Sequence, residues 1–367
     1  MTICYFGDYD PSYNRTKLLL KGLHLAGVEV LECNVRGKGG IALYRDLFRK
    51  HRPLAGKYDL LFVGYGNARL MPVFARLLTR RPVVWDALYS LYDNWVFDRK
   101  LTRPHSAKAY WYWCIDWLDC FASDLVVLDT WTNADYFTHT FGVPVRKLVR
   151  VFVGADTNIF YPRARAVRPR SFEVEFHGKY IPVQGTKVLV RAAKLLENDA
   201  VHITMIGSGQ DFSKTRRLAD ELHVTNITFL PFLPLAEVAE YVRNADVCVG
   251  LVGNVPRVVR AIPNKLYEAA AAGRVSVSAD TSSLREIFTP GIDTLGVSAG
   301  NPEDLAQAIR KLKQAGNAET LGAAAHAAFM RRCTAEAIAA QLMAALTRVS
   351  AVRSGSKPEA NTLPYDI

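Results

Sequence analysis

Residues 260–273 read R-A-I-P-N-K-L-Y-E-A-A-A-A-G, and this stretch decides the fold. Apolar runs lie on both sides of it, at residues 246–250 and 274–278. The alanine-rich segment predicts a helix that ends at Gly273, and the apolar runs predict strands, so the three make a βαβ unit. Ligands of such sheets bind beyond the carboxyl ends of the strands, next to helix N-termini. The candidate phosphate- and ribose-binding residues are Pro263, Asn264, Lys265, Leu266 and Glu268.

The alternative interpretation of these residues is an ordinary helix cap followed by a surface lysine and glutamate. The rest of the chain decides between the two, because a short motif matches many unrelated sequences.

The composition is that of a globular protein with two domains. The chain has 367 residues, of which half are hydrophobic, and this length suits two domains of ordinary size. Six cysteines are scattered without the spacing of a metal site or a disulfide framework, which predicts a reduced, cytoplasmic protein. We expect no signal peptide and no segment long enough to span a bilayer.

The charge is strongly positive, with a formal net charge of +11 and a pI near 9.3. An excess of this size favours anionic partners such as nucleic acid, an acidic membrane surface or phosphorylated small molecules. The cations are dispersed and no nucleic-acid-binding signature is present, so nucleic acid is the least favoured of the three.

Strands and helices alternate along the first part of the chain, which predicts a parallel, doubly wound α/β sheet. Polar residues follow several of the predicted strands, at the edge where ligands bind in this architecture. Arg15 follows the first strand and is a candidate phosphate ligand. Asp86 and Asp93 follow the fourth strand. Each could also be an ordinary turn or cap residue.

Residues 107–121 read A-K-A-Y-W-Y-W-C-I-D-W-L-D-C-F and predict a helix with one aromatic stripe. The stripe includes Tyr110, Trp113, Trp117 and Phe121. We expect it to cover the sheet as part of the core. The alternative is a helix at a membrane interface, with aromatic rings at headgroup depth and cations on anionic lipid.

A second α/β series follows a basic, proline-containing linker. These features predict an N-terminal domain at 1–162, a C-terminal domain at 163–350 whose last helix crosses back to the first domain, and a disordered tail at 351–367. Two turns after strands of the second series contain glycines that let backbone amides approach a phosphate: Gly178, Gly207 and Gly209. The G-x-G-x-x-G fingerprint is absent from the first strand of either half, which argues against an NAD enzyme.

Taken together, these residues resemble a family 4 glycosyltransferase with the GT-B fold, in which two Rossmann-like domains face each other across a cleft. The resemblance covers roughly residues 1–350. Motifs that carry it, in order, are V-G-A-D-T-N-I-F-Y-P (153–162), F-H-G-K-Y-I-P-V-Q-G (176–185), I-G-S-G (206–209), F-L-P-F-L-P (229–234), N-A-D-V-C-V (244–249) and the stretch from Pro263 onward.

The chain departs from the family pattern at two positions. The first acid of the E-x7-E motif would lie eight residues before Glu268, where this chain has Arg260. The family's diphosphate-clamping Arg and Lys correspond to Lys179 and Gln184. At the first position a forked arginine donor is replaced by the point charge of a lysine, and at the second position the positive charge is lost. By resemblance Glu268 binds the ribose. Either Arg260 or Lys265 is our hypothesis for the missing charge.

The resemblance implies a retaining transfer of a sugar from a nucleoside-diphosphate sugar to a hydroxyl acceptor, without an obligate metal. The acceptor is a glycan, a lipid-linked saccharide or a small metabolite. Candidates for stabilising the leaving diphosphate are Arg15, Lys179 and Lys265, with Gly178 and Gly209 amides, and Asp86 and Asp93 are candidates for orienting the acceptor. The alternatives are a non-hydrolysing sugar-nucleotide epimerase and a non-catalytic sugar-nucleotide binder. Peripheral contact with an anionic membrane is a separate hypothesis.

Overall fold

A computed structural model describes residues 1–164 and 171–353. They form two parallel six-stranded sheets, each covered by helices on both faces. The predicted linker at 163–170 and the predicted tail at 351–367 fall mainly outside the described residues.

The N-terminal sheet has the strand order β2-β1-β3-β4-β5-β6. Its strands are β1 (Thr2–Gly7), β2 (Glu29–Asn34), β3 (Leu60–Val63), β4 (Val83–Leu88), β5 (Leu125–Leu128) and β6 (Leu148–Arg150). Its helices are α1 (Asn14–Leu25), α2 (Gly40–His51), α3 (Met71–Leu78), α4 (Ala107–Ala122) and α5 (Trp131–Phe141). A short π-helical turn, Asp93–Asp98, lies between β4 and α4.

The C-terminal sheet has the strand order β12-β11-β10-β7-β8-β9. Its strands are β7 (Phe172–Lys179), β8 (Val201–Ser208), β9 (Ile227–Leu230), β10 (Val247–Val249), β11 (Ser276–Ala279) and β12 (Leu295–Val297). The helices of this half are α6 (Thr186–Leu195), α7 (Phe212–Glu221), α8 (Leu235–Asn244), α9 (Asn264–Ala271), α10 (Pro302–Ala315), α11 (Ala318–Arg332) and α12 (Ala335–Arg353).

Each sheet has one point at which its strand order reverses. In the N-terminal sheet this point lies between β1 and β3, and in the C-terminal sheet it lies between β7 and β10. The helices that leave the two strands at such a point go to opposite faces of the sheet, so a crevice opens at the carboxyl ends of the strands. The topology therefore places one crevice in each domain.

The central strands are apolar on both faces because helices cover both sides of each sheet. All four residues of β3 are buried, and so are all four of β5. In the C-terminal sheet β10 and β11 are buried along their whole length. Two separate apolar clusters accordingly flank each sheet.

Helix α12 returns to the N-terminal domain and packs against α1. The two helices approach closely at Gly22, where a Cβ atom would lie 2.9 Å from the carbonyl oxygen of Ala335 and 3.0 Å from Cβ of Ala339. Ile338 and Leu342 then join Leu18 in the core of the N-terminal domain. The end of the chain's second half thus completes the first domain.

Helix α4 presents the opposite face to the one expected. Tyr110, Trp117 and Phe121 are exposed, at 54%, 40% and 75%, whereas Asp116 and Asp119 are buried. The prediction that the aromatic stripe covers the sheet was therefore wrong for these three side chains. The reason is that Asp116 accepts hydrogen bonds from the Ser90 hydroxyl and from the Tyr92 amide, at 2.6 and 2.9 Å, which satisfies the carboxyl inside the domain.

No helix in the described part of the chain combines the length and the apolar character needed to cross a membrane.

Candidate functional site

A cavity of about 320 Å³ lies between the two domains, at the point where the C-terminal sheet reverses its order. The carboxyl end of β7, the start of α9 and the loop after β10 form one wall, and residues of the N-terminal domain form the other. It gathers many of the residues that the sequence singled out: Gly178, Lys179, Gln184, Pro263, Asn264, Lys265 and Glu268.

A chain of three buried side chains lies in the floor of this cavity. His177 is hydrogen-bonded through Nδ1 to Glu175 Oε1 at 2.8 Å and through Nε2 to Glu268 Oε2 at 2.6 Å. Burial by itself lowers the pKa of His177, but the two carboxylates outweigh this effect and raise the pKa to about 9. At neutral pH His177 is therefore an imidazolium that donates to both glutamates and fixes the position of Glu268.

Lys265 has only 3% of its surface exposed, and its amine has no carboxylate partner within the described residues. The Nζ atom donates to Gln184 Oε1 at 2.6 Å and lies 3.5 Å from the centre of the Phe176 ring. Burial lowers the pKa of Lys265 to about 7, against the opposing effect of Glu175 and Glu268. The amine therefore loses much of its charge near neutral pH unless an anion enters the cavity.

Gly178 lies beside the amine of Lys265. Its φ of +136° is one that residues with a side chain rarely adopt, and a Cβ atom there would lie 3.5 Å from the lysine Nζ. The lysine amine thus lies against bare backbone at the end of β7, close to the amides that the sequence suggested for phosphate binding.

The opposite wall of the cavity is formed by the π-helical turn of the N-terminal domain and the loop before it, and residues of the C-terminal domain contact both. Arg257 lines the cavity from the C-terminal domain, and its Nη1 donates to Asn94 Oδ1 at 2.6 Å. Its guanidinium lies 3.9 Å from the centre of the Tyr89 ring. Asp98 accepts a hydrogen bond from the Val183 amide at 3.0 Å. These contacts join the two domains directly at the cavity.

A second cavity of about 310 Å³ lies where the N-terminal sheet reverses its order. Loops after β1 and β3 form its rim, and Asp8 accepts hydrogen bonds there from the amides of Asn67 and Ala68, at 3.1 and 2.9 Å. Lys179 lines both cavities, so the two adjoin at the end of β7. The pair has the arrangement expected of two neighbouring substrate sites.

The structure does not support the roles suggested for Arg15 and Asp86. Both side chains are fully buried, and Arg15 Nε donates to the two oxygens of Asp86 at 2.8 and 2.9 Å. Arg15 also donates to the Val151 carbonyl at 2.9 Å and lines neither cavity. Asp86 belongs to the lining of the second cavity, but its carboxylate is occupied by Arg15. The pair ties α1 to β4 and carries a structural role.

Asp93 and Arg260 also bind each other rather than a ligand. Arg260 donates to Asp93 through Nη2 and Nε, at 2.5 and 3.2 Å, and neither residue lines either of the two cavities. Because Asp93 belongs to the N-terminal domain and Arg260 precedes α9, this ion pair crosses between the domains. Of the two candidates for the missing charge, only Lys265 is in the cavity.

Three further residues lie outside the cavity lining. Gly207 and Gly209 have φ values of +127° and +151°, and a Cβ atom would lie 2.1 Å from the Gly178 carbonyl at the first and 2.6 Å from the Tyr180 amide at the second. They are glycines because β8 passes so close to β7. Leu266 is 1% exposed and packs in the apolar core beside α9.

Several site residues were not predicted. His177 lies inside the quoted segment 176–185, but nothing in its spacing showed that two carboxylates would flank it. Glu175 lies within strand β7, and nothing in the sequence around it indicates a functional role. Arg257, Asn94 and Asp98 carry no sequence signal, because they come together only across the domain interface. Within the described ranges no group of three or more His, Cys, Asp or Glu side chains could hold a metal ion.

Comparison with known proteins finds glycosyltransferases, both among protein families and among curated relatives. Residues 171–315 match the family described as glycosyl transferases group 1. The chain is similar to D-inositol 3-phosphate glycosyltransferases, with 26% identity over 201 residues to that of Paenarthrobacter aurescens (51% of this chain, 48% of the relative) and 27% over 256 residues to that of Geodermatophilus obscurus (64% and 56%). The matched regions thus span about half the length of these curated relatives.

Solved structures match over nearly the whole chain. The sucrose-phosphate synthase of Thermosynechococcus elongatus superposes with a TM-score of 0.77 at 17% identity, covering 96% of this chain and 100% of that one. Anabaena HepE in complex with UDP-glucose gives a TM-score of 0.71 at 16% identity, covering 95% and 100%. Two facing parallel sheets with this topology form the GT-B fold. Residues 171–315 are thus similar to the glycosyl transferases group 1 family, and the fold of the chain is GT-B.

Proposed function

We propose that this protein is a glycosyltransferase that moves a sugar from a nucleoside-diphosphate sugar to a hydroxyl acceptor with retention of anomeric configuration. One observation carries the proposal. Lys179, Lys265 and Glu268 meet at the order reversal of the C-terminal sheet, in a cavity that adjoins a second cavity at the order reversal of the N-terminal sheet. The match of residues 171–315 to glycosyl transferases group 1 and the HepE complexes with UDP and UDP-glucose support this assignment.

The donor diphosphate would lie between Lys265, Lys179 and the first amides of α9. A helix N-terminus carries partial positive charge and free N–H groups, so it favours an anion. Lys265 Nζ lies beside Gln184, where the family has a lysine, so we propose that Lys265 supplies the cation that position 184 lacks. As the bond to the sugar breaks, charge grows on the leaving diphosphate and these groups stabilise it.

The ribose would bind to Glu268. This carboxylate lines the cavity, and its only hydrogen bond among the described residues joins Oε2 to His177. Glu175 binds the other ring nitrogen of His177, so the carboxylate of Glu268 is held in position before the nucleotide binds. Fixing a polar group in advance lowers the ordering cost of binding.

The acceptor would occupy the second cavity, with Lys179 at the junction of the two sites. In a retaining front-face transfer, the departing phosphate takes the proton of the acceptor hydroxyl, so no protein nucleophile is needed. We propose that the two lysines let the transfer proceed without an obligate metal, since they can neutralise charge on the diphosphate. Activity that survives EDTA treatment supports this point, and activity that is lost and then restored by Mg²⁺ or Mn²⁺ contradicts it.

The donor is identified by thermal unfolding in the presence of UDP, GDP, ADP or dTDP and their sugars. A ligand that binds only the folded state raises the Tm by mass action. We expect UDP and a UDP-sugar to give the shift. The same donor is then incubated alone and with acceptor mixtures, and its products are analysed.

Three outcomes separate the possible functions. A glycosylated product that forms only with acceptor, in the anomeric configuration of the donor, supports the proposal. Interconversion of the sugar nucleotide without acceptor indicates an epimerase. Binding without transfer or hydrolysis over a long incubation indicates a sugar-nucleotide binder.

A further inference from the structure

The outer face of α4 is an unusual surface. Tyr110, Trp111, Trp117 and Phe121 are between 40% and 75% exposed, and we call these four residues the aromatic face. The ring of Trp117 is stacked on that of Phe121, with centroids 5.9 Å apart and an angle of 17° between the planes. The aromatic face is thus an ordered array of large apolar groups in contact with solvent. A contiguous exposed patch of this kind marks a site of interaction.

The exposure of these rings follows from what the other face of α4 buries. Its other face is buried, and it places two carboxyl groups, Asp116 and Asp119, inside the domain. Burial raises the pKa of Asp116 to about 7 and raises that of Asp119 well above its ordinary value. The fold therefore buries two aspartates and leaves the aromatic rings in water, and covering the aromatic face would remove the unfavourable contact of those rings with water.

The charges around the aromatic face identify the chemistry of the partner. Asp116 and Asp119 are the only acids in α4, and both are buried, so the exposed surface of the helix carries no carboxylate. Lys108 lies at the amino end of the helix and is exposed. At the carboxyl end, Lys147 donates to the Ser123 carbonyl at 2.8 Å and Arg76 donates to that of Ala122 at 3.0 Å. Lys108 is thus an exposed cation at the amino end of the apolar strip, whereas at the carboxyl end Arg76 is paired with Asp124 and Lys147 is half-buried.

We propose that the aromatic face docks on the surface of an anionic lipid bilayer. Tryptophan, tyrosine and phenylalanine lie favourably at headgroup depth, while Lys108 at the amino end of the helix contacts acidic headgroups. The net charge of +11 attracts the whole protein to the same surface.

Docking in this orientation has a consequence for the second cavity. Ile115, Asp116 and Asp119 line that cavity from the buried side of α4. The cavity would therefore lie about one helix diameter, roughly 10 Å, from the bilayer surface. An amphiphilic, lipid-linked acceptor could then reach it while its apolar part stays in the membrane. This last step rests on the proposed function, whereas docking itself does not.

The test is co-sedimentation with vesicles of phosphatidylcholine alone or mixed with phosphatidylglycerol, with no nucleotide and no acceptor present. The wild-type protein should bind the anionic vesicles at low salt and lose binding as salt is raised. The double variant Trp117→Ser/Phe121→Ser should lower the partition coefficient roughly tenfold or more, because it removes apolar area from the contact. Phe232→Ser is the control, since Phe232 is 80% exposed and lies in the other domain.

A second measurement covers the case in which binding is weak. Bromine-labelled phospholipid quenches tryptophan emission at headgroup depth, and Trp111→Phe/Trp117→Phe should remove most of the quenching. Wild-type protein that stays in the supernatant without quenching, or a double serine variant that binds as the wild type does, overturns the proposal. Concentration-dependent dimers in sedimentation velocity that disappear in the same variant would assign the aromatic face to a second copy of the chain instead.

Discussion

At the scale of single residues, the side chains of Lys265 and Gln184 are in direct contact. The Nζ atom of Lys265 lies 2.6 Å from Gln184 Oε1. By the resemblance, the family has a lysine at position 184. On the proposed function, Lys265 at the start of α9 supplies the charge that the resemblance places before α6. Because the two positions are adjacent in space, the cation can be returned to position 184.

This gives a first prediction. Lys265→Met should weaken binding of UDP by about tenfold or more, since a charge-assisted hydrogen bond contributes about 1.5–3 kcal/mol. The double variant Lys265→Met/Gln184→Lys should recover most of the lost affinity, and Lys214→Met on the exposed face of α7 should leave it unchanged. Isothermal titration calorimetry measures all three. Wild-type affinity in the single variant would show that Lys265 does not contact the diphosphate.

The low pKa of the same lysine gives a second prediction. Lys265 has a pKa of about 7 in the free protein, so at pH 8 it is largely neutral, and an incoming diphosphate raises the pKa again. Binding at pH 8 should therefore take up a proton, and binding at pH 6, where the amine is already charged, should not. Calorimetry in two buffers with different ionisation enthalpies measures the uptake. The signal should vanish in Lys265→Met, and equal proton uptake in that variant would assign it to another group.

At the scale of elements, the packing of α12 on α1 depends on the absence of a side chain. Gly22 lies within a helix, where glycine costs about 1 kcal/mol relative to alanine, so the close approach of Ala335 and Ala339 must repay that cost. The contact holds the last helix on the first domain, although more than 300 residues separate the two helices in the sequence.

Gly22→Val should accordingly destabilise the protein. The added side chain would overlap the Ala335 carbonyl and the Ala339 side chain, and overpacking of this kind costs about 1–3 kcal/mol. The free energy of unfolding, measured in urea, should fall by that amount. His24→Val is the control, because His24 is exposed on the same helix and receives the same β-branched side chain. Equal losses in the two variants would contradict a specific α1–α12 contact.

At the scale of the whole molecule, side chains that cross the cleft hold the two domains together. Arg260 pairs with Asp93, and Arg257 reaches Asn94 and Asp98. By family pattern, position 260 holds a glutamate, which Asp93 would repel. The arginine therefore accompanies a carboxylate in the facing domain, and the ion pair favours closure of the two domains over the first cavity.

Asp93→Ala should weaken that closure, since it leaves the largely buried charge of Arg260 without a partner, a change that costs about 3–5 kcal/mol in buried pairs. We expect a lower Tm and a larger radius of gyration in small-angle X-ray scattering. The reversed pair Asp93→Arg/Arg260→Asp should restore part of both. If the radius is unchanged in the single variant, the ion pair does not control the distance between the domains.

Most of the fold was predictable because alternating apolar runs and helical segments are local signals. The strands predicted at 246–250 and 274–278 lie at Val247–Val249 and Ser276–Ala279, a difference of one or two residues at each end. Helix α5 and the short strand β6 were not predicted, since the segment W-T-N-A-D-Y-F-T-H-T-F is polar and aromatic and lacks a clear apolar stripe. For α4 the period was correct and the face was wrong, because hydrophobic character alone does not show that Asp116 finds hydrogen-bond partners inside the domain.

The sequence by itself determined the α/β class, the two-domain organisation and the cluster at the start of α9, since each depends on neighbours along the chain. Only the tertiary structure decided which charged residues line a cavity and which are bound in ion pairs. Arg15 and Arg260 looked like phosphate ligands, yet each is bound by an aspartate far away in the sequence. Lys265 instead remains in the cavity without a carboxylate partner among the described residues. An ion pair between distant residues depends on how the chain folds in space, and no local pattern records it.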